Sequence, residues 1–123
     1  MILSRWRRGR LAEKLAARYL VARGMKILAR NRRHRRGELD LIGREEGVLC
    51  IVEVRSRGDR SEYLPEMSLT PAKVRRLRAG AEELTRKYRM PHVPVRLDLL
   101  VVDWVTGNPE FRYYPGGITA PTA

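Results

Sequence analysis

The sequence of 123 residues is poor in the residues that cross-link small proteins or build soft metal sites. It has one cysteine, Cys50, and two histidines. A single cysteine excludes an internal disulfide framework and is typical of a reducing compartment, so we expect a cytoplasmic protein. One cysteine and two histidines also exclude a zinc site built from the usual nitrogen and sulfur ligands of one chain. A metal site made entirely of oxygen ligands remains open.

Long hydrophobic runs are also absent. No apolar stretch approaches the ~20 residues that a membrane-spanning helix needs, and no signal peptide is visible, so we expect no membrane partner. A hydrophobic fraction of 43% nevertheless favours a folded domain over a disordered basic chain. At this length we expect a single domain at residues 1–115, followed by a flexible tail at residues 116–123.

Acidic residues are almost missing from the first third of the chain. Residues 1–37 carry 13 basic side chains and one acid, Glu13, whereas residues 38–123 carry 13 of each. The net charge of +12 is therefore concentrated at one end, which indicates a polyanionic partner. Solubility in an arginine-rich proteome is the alternative that the charge alone leaves open.

Hydrophobic spacing predicts seven secondary-structure elements. Apolar residues recur every three or four positions in two segments, and they alternate or cluster in five shorter ones. Residues 58–70 lack such a pattern and are expected to form a mobile loop. The predicted elements are a helix at 11–20, strands at 25–31, 38–43 and 48–54, a helix that starts at Pro71, and strands at 95–102 and 111–114. The order α-β-β-β-α-β-β indicates an α/β fold with a mixed central sheet flanked by helices.

The second and third strands are expected to form a hairpin that turns at Glu46-Gly47. A turn centred there pairs residues whose numbers add up to 93, so Asp40 faces Glu53 and Glu38 faces Arg55. Both acids of the second strand then share one face of the sheet. The sequence therefore predicts two carboxylates in direct cross-strand contact.

Opposed carboxylates between two apolar strands are destabilising unless a cation lies between them. Regular alternation puts Leu39 and Leu41 together on the opposite, apolar face, which fixes this register. Two carboxylates, with waters and substrate phosphates, form a typical Mg²⁺ site, so Asp40 and Glu53 are candidate metal ligands. A solvated face on which both acids pair with nearby arginines is the alternative that the residues alone leave open.

Asp40 followed by Glu53, Val54 and Arg55 resembles the PD-(D/E)xK nuclease motif, which has an acid on one strand and acid-x-Lys on the next. Together with residues 9–13, 31–33 and 37–42, this segment resembles the YraN family of small predicted bacterial nucleases. The resemblance covers residues 9–103. It implies a restriction-endonuclease-like fold, similar to that of archaeal Holliday junction resolvases.

The resemblance implies a metal-dependent nuclease that hydrolyses phosphodiester bonds in structured DNA, either branched or single-stranded. Asp40, Glu53 and the backbone carbonyl of Val54 would hold Mg²⁺ or Mn²⁺, and Glu13 would complete the site, for instance through water. An ion pair of Glu13 with Arg10 or Lys14 is the alternative. Resolvases act as dimers on the two strands of a junction, so a homodimer is a further implication.

Arg55 stands where the motif has lysine. Arginine stays protonated and cannot act as a general base, although it can neutralise charge at a phosphate. Lys73 lies at the start of the second helix, from where its ammonium group could reach the site. A phosphate contact and a plain surface position are the alternatives for this residue. Arg55 leaves open whether the chain is an enzyme. A non-catalytic nucleic-acid-binding module and an RNA- or ribosome-associated factor are the alternatives.

Basic residues lead directly into the predicted acidic strand, because residues 32–37 are expected to form a basic turn. Such a surface favours sequence-independent contacts with phosphates, and DNA is favoured over RNA as the partner. His34 and His92 are interpreted as surface residues in loops. The predicted nucleic-acid-binding residues are Arg8, Arg10, Arg32, Arg33, Arg35, Arg36 and Lys73.

Overall fold

The computed structural model describes residues 4–119 and confirms the predicted order of elements. Five strands form one mixed sheet in the order β1-β2-β3-β4-β5, in which β3 and β4 are parallel and the other neighbours antiparallel. The elements are α1 (Arg5–Ala22), β1 (Lys26–His34), β2 (Gly37–Glu45), β3 (Val48–Arg57), a 3₁₀ turn (Pro65–Ser68), α2 (Pro71–Lys87), β4 (Val95–Asp103) and β5 (Glu110–Tyr114).

The first two elements extend into the basic segments that lack an apolar pattern. Ser4 caps α1 by accepting a hydrogen bond from the N–H of Arg7 at 3.2 Å, so residues 5–10 are helical. Arginine is a good helix former, which allows this start without any buried side chain. The basic turn predicted at residues 32–37 is wrong, because β1 continues to His34 and only Arg35 and Arg36 form the turn.

The two helices cover opposite faces of the sheet. Ile51 and Val52 are neighbours in β3, yet Ile51 belongs to a core cluster with α2 and Val52 to a core cluster with α1. The first is called the α2-side cluster and the second the α1-side cluster. Within the described part of the chain, neither helix has the length and apolar character needed to span a membrane.

The β2–β3 hairpin has the predicted register. Leu41 pairs with Val52, and Glu45 pairs with Val48, as a turn at Glu46-Gly47 requires. Both turn residues have positive φ, 50° and 79°, which is the conformation of a tight two-residue hairpin and the reason for glycine at the second position.

The predicted alternation breaks at Asp40. Leu39 packs into the α2-side cluster and Leu41 into the α1-side cluster, so the expectation that both leucines share one face is wrong. The β1–β2 register puts Asp40 opposite Asn31, whose φ of 50° departs from strand geometry. The side chain of Asp40 accepts a hydrogen bond from the N–H of Val54 at 2.9 Å.

The sheet forks at the same point. Registered pairing between β2 and β3 stops at Leu41 and Val52, whereas β2 stays paired with β1 and β3 stays paired with β4 beyond it. The predicted ladder pairings of Asp40 with Glu53 and of Glu38 with Arg55 are therefore both wrong, although the side chains of Asp40 and Glu53 still interact. Glu38 instead pairs in the ladder with Arg33 of β1. We call the gap between the two diverging strands the acidic fork, after Glu38 and Asp40 on one side and Glu53 on the other.

Two segments expected to be loose are anchored by side chains. In the 58–70 loop, Glu62 accepts hydrogen bonds from Arg8, and Glu66 accepts them from Arg112 on β5. In the predicted tail, Ile118 is buried in the α2-side cluster and its N–H donates to the carbonyl of Leu97 at 3.2 Å. Residues 120–123 of that tail lie outside the described residues.

Candidate functional site

Acids from three elements converge at the acidic fork. The carboxylate oxygens of Glu13 on α1 and of Glu38 and Asp40 on β2 all lie within 4.8 Å of one another. The structure therefore brings the predicted Glu13 and Asp40 together, and it adds Glu38, which the sequence analysis paired with Arg55.

Glu53 faces this cluster from β3 and is almost fully buried, with 4% of its side chain exposed. Its Oε2 atom lies 3.2 Å from the Lys73 Nζ and 3.3 Å from the Arg55 Nη2. Among residues 4–119 neither cation, nor any other group, meets hydrogen-bond geometry with that oxygen. Glu53 is thus partly neutralised, with one oxygen still available to a ligand.

The convergence of acids changes their protonation. Burial, followed by the hydrogen bonding and charge of Glu53, raises the pKa of Asp40 to about 9. Burial also raises the pKa of Glu13, against the charge of Arg10 that lowers it, and the charges of Glu38 and Glu53 raise it further. Near neutral pH the acidic fork therefore holds a proton that a cation would displace.

The donor set fits a hard divalent cation. Within the described chain, three buried oxygens lack a hydrogen-bond partner: Glu13 Oε2, Asn31 Oδ1 and Glu53 Oε2. Buried polar atoms are rarely left unpaired, because each costs roughly 1–3 kcal/mol. Carboxylate and amide oxygens are the ligands that Mg²⁺ and Mn²⁺ prefer. The predicted carbonyl of Val54 lies on the same strand, directly after Glu53, and stays a prediction as a ligand.

A cleft of about 330 Å³ opens onto the acids and is bordered by cations. Its lining includes the acids Asp40 and Glu53 and the cations Arg36, Lys73 and Arg76. This arrangement suits a phosphate group, whose charge the cations attract while the acids alone repel it.

A second cleft, of about 450 Å³, lies next to the first along α2 and shares His34 and Arg36 with it. It adds the cations Arg35 and Arg86 and the acids Glu82 and Glu83, so its lining is of mixed charge. Arg10 lies on the α1 side of the acids, with its Nη1 3.6 Å from Glu13 Oε1. The ion pair considered for Glu13 therefore coexists with its place in the acidic cluster.

Two of the predicted nucleic-acid-binding arginines are placed elsewhere. Arg8 donates two hydrogen bonds to Glu62, at 2.7 and 2.8 Å, so its guanidinium is committed to the loop. Arg32 stacks on the ring of Tyr88, 5.2 Å from its centroid, near the end of α2. Arg33, in contrast, is exposed on β1 and pairs in the ladder with Glu38 of the fork. These positions favour structural roles for Arg8 and Arg32 over phosphate contacts at the cleft.

The prediction that His34 is a surface residue in a loop is wrong. It ends β1, its side chain is 6% exposed, and it lines the cleft. Gly80 of α2 makes room for the imidazole, because a Cβ there would lie 2.8 Å from Nε2. The N–H of Arg36 donates to Nδ1 at 3.3 Å, so His34 fixes the turn that carries the basic residues.

Glu38, Asn31 and Arg76 were not predicted as site residues. Two of them carried a signal in the sequence. Glu38 lies two positions before Asp40, and Arg76 lies three positions after Lys73 on one helix face. Asn31 carried none, because its place depends on the irregular β1–β2 pairing.

Asp98, a fully buried acid on β4, does not belong to this site. It accepts hydrogen bonds from Arg96 at 2.8 and 3.0 Å, from Tyr113 at 2.6 Å and from the N–H of Gly116 at 2.7 Å. Both oxygens are satisfied, so Asp98 joins β4 to β5 and to the segment that follows it.

Residues 12–102, which include all four acids of the fork, match the model of the uncharacterised protein family UPF0102. The chain belongs to the UPF0102 family. This membership confirms the YraN-like family predicted from the motifs.

Curated UPF0102 proteins from distant bacteria resemble this one over most of its length. The chain is 40% identical to one from Anaeromyxobacter dehalogenans, over 87% of this chain and 80% of the relative. It is 39% identical to one from Dehalococcoides mccartyi, over 91% and 93% respectively. It is 41% identical to one from Thermus thermophilus, over 85% and 89%. The names of these three UPF0102 proteins state no activity.

Proposed function

We propose that this protein is a divalent-metal-dependent nuclease that hydrolyses phosphodiester bonds in structured DNA, branched or single-stranded. The observation that carries the proposal is a pair of buried carboxylate oxygens, on Glu13 and Glu53, that accept no hydrogen bond from any described residue. Glu53 also lines a cleft bordered by cations. Such oxygens are costly unless a ligand binds them. The cleft offers the place for the phosphate on which that ligand would act.

In this proposal Asp40, Glu53 and Glu13 hold Mg²⁺ or Mn²⁺, with Glu38 and the carbonyl of Val54 as further oxygen donors. When bound, such an ion polarises the scissile phosphate and lowers the pKa of a water molecule. The acids themselves set the position of the ion. Asp40 is held in turn by the N–H of Val54.

Arg55 and Lys73 would neutralise the charge that develops on the phosphate. Both lie within 3.3 Å of Glu53, which lines the cleft, and Lys73 lines the cleft as well. Lys73 brings to the site the ammonium that is missing at position 55. Preorganised cations in a partly dehydrated cleft stabilise such a transition state more than the ground state.

The exposed cations of the two clefts would bind the backbone of the nucleic acid. Neutralising several phosphates releases counterions, so affinity should fall by orders of magnitude when salt rises from about 50 to about 200 mM. A flat salt dependence would contradict this part of the proposal. The homodimer and the cytoplasmic location stay predictions.

A non-catalytic nucleic-acid-binding module, on DNA or on ribosomal or other RNA, is the second candidate. The observation that favours it is the ion-pair triad of Glu53 with Lys73 and Arg55, which neutralises one metal ligand without any metal. A module of this kind should tolerate Asp40→Asn, and it should bind more tightly once repulsion between acid and phosphate is reduced.

Cleavage assays separate the two candidates. Branched, single-stranded and linear duplex DNA are incubated with wild-type protein in Mg²⁺, in Mn²⁺ and in EDTA, beside Glu53→Gln and the control Glu46→Gln. Glu46 lies in the hairpin turn, remote from the fork. Glu46→Gln therefore removes the same charge as Glu53→Gln but leaves the fork unaltered. We expect cleavage by wild type and Glu46→Gln with metal, and none by Glu53→Gln. Cleavage that survives in Glu53→Gln points to a contaminant, and salt-dependent binding without cleavage favours the second candidate.

A further inference from the structure

An exposed tryptophan lies beside the acidic fork on α1. Trp6 is 69% exposed, and the guanidinium of Arg10 lies 5.6 Å from the centroid of its ring. The same guanidinium lies 3.6 Å from a carboxylate oxygen of Glu13. One arginine side chain therefore contacts both an exposed indole and an acid of the candidate metal site.

Exposure of this indole needs an explanation. Trp104, the other tryptophan, is partly buried and packs against the α1-side cluster, whereas Trp6 lies on a helical turn of arginines. A large aromatic surface left in water among cations gains little from folding, but it stacks well on a nucleobase. The adjacent guanidinium adds an attraction for the phosphate of the same nucleotide.

We propose that Trp6 and Arg10 form a stacking platform for an unpaired base of the nucleic acid whose phosphate lies at the acidic fork. The proposal rests on the proposed function and specifies its substrate, because a base inside an intact duplex is already stacked on its neighbours. Nucleic acid bound here has at least one unpaired nucleotide on the α1 side of the acids.

The two sides of the fork differ in a way that supports this assignment. The cleft presents the cations Lys73 and Arg76 of α2 and Arg36 of the β1–β2 turn, which hold phosphates of paired and unpaired strands alike. The α1 side adds the indole, seven residues before Glu13 and thus about 10 Å away along the helix axis. A short stretch of nucleotides spans that distance. The α2 side thus suits a duplex arm and the α1 side a single-stranded one.

Tryptophan fluorescence tests the platform without any catalysis. The Trp104→Phe variant leaves Trp6 as the sole tryptophan, and it is titrated in EDTA with single-stranded oligothymidylate and with a blunt duplex of equal length. We expect the single strand to quench the emission and the duplex to bind with little quenching. Equal quenching by the two probes, or none by the single strand, would overturn the assignment.

Affinity measurements with otherwise unaltered protein give a second readout. Trp6→Ala should weaken binding of the single strand roughly tenfold or more and leave blunt-duplex binding unchanged. Trp6→Phe should keep much of the single-strand affinity that Trp6→Ala loses. Val21→Ala alters another exposed apolar residue, at the far end of α1. It should change neither the affinity for the single strand nor the affinity for the blunt duplex. Unchanged affinity of Trp6→Ala for the single strand contradicts the platform.

The outcomes for the platform and for the nuclease are distinct. Single-strand quenching without metal-dependent cleavage leaves the platform in place and refutes the nuclease. Metal-dependent cleavage with unchanged binding by Trp6→Ala leaves the nuclease and refutes the platform. Wild-type protein that binds neither probe refutes the platform, and the cleavage assay with metal then decides on the nuclease by itself.

Discussion

The substitution Asp40→Asn should make the stability of the metal-free protein less dependent on pH. The folded state raises the pKa of Asp40 from 3.8 to about 9, so it binds a proton more tightly than the unfolded chain does. The stabilisation from that proton is fully present below about pH 4 and is lost as pH rises towards 9. Asparagine is neutral at every pH, and its side-chain oxygen can still accept the hydrogen bond from Val54.

The size of the effect follows from proton linkage. A full difference of one bound proton changes the free energy of unfolding by about 1.4 kcal/mol per pH unit. Between pH 5 and pH 8, wild type should therefore lose up to about 4 kcal/mol relative to Asp40→Asn. Mg²⁺ or Mn²⁺ should reverse part of this loss in wild type, and more so at higher pH, because the cation replaces the proton.

Urea unfolding in EDTA and in Mn²⁺, at several pH values, measures these differences. Glu46→Gln is the matched control, because it removes one exposed acid of the same hairpin and should follow wild type. Parallel pH profiles for wild type and Asp40→Asn would refute the burial-driven protonation of the fork. Stabilisation of Asp40→Asn by Mn²⁺ equal to that of wild type would refute its role as a ligand.

Two further predictions concern Arg55 and the contact between β1 and α2. Arg55→Lys should raise metal-dependent cleavage and Arg55→Ala should lower it by about tenfold or more, and equal rates for all three proteins would remove Arg55 from the mechanism. Gly80→Ala should lower the free energy of unfolding by about 1–3 kcal/mol, because the new Cβ would lie 2.8 Å from the buried His34 imidazole. Gly9→Ala in α1 should raise the free energy of unfolding by about 0.5–1 kcal/mol in the same urea experiment, because the added Cβ would meet no described atom beyond its own stretch of helix. A shift of both variants in one direction contradicts this reasoning.

The sequence was sufficient for the features that follow from local pattern. The turn at Glu46-Gly47 has the left-handed backbone that glycine favours, and a two-residue turn there sets the register of β2 and β3 as far as Leu41 and Val52. Extended by one residue, this register predicts that Asp40 lies near Glu53, although the regular alternation does not continue through Asp40. Element order follows equally from helical and strand periodicity.

The remaining features depend on contacts between distant segments. The alternation in β2 breaks at Asp40, which accepts a hydrogen bond from the N–H of Val54 and lies opposite Asn31, a residue with left-handed backbone. Hydrophobic periodicity encodes neither of these contacts. Burial of His34 depends on the absence of a side chain at Gly80, in a helix that meets β1 only in the folded chain. A glycine inside a predicted helix was the one available sign of such a close approach.

Titration of the protein with Mn²⁺, followed by electron paramagnetic resonance of the free ion, tests most directly whether the acidic fork is a metal site. Wild type and Glu46→Gln should each bind Mn²⁺ at one saturable site per chain, and Asp40→Asn should bind it at least about tenfold more weakly. Wild-type protein that takes up no Mn²⁺, or Asp40→Asn that binds as tightly as wild type, would contradict a metal site at the acidic fork.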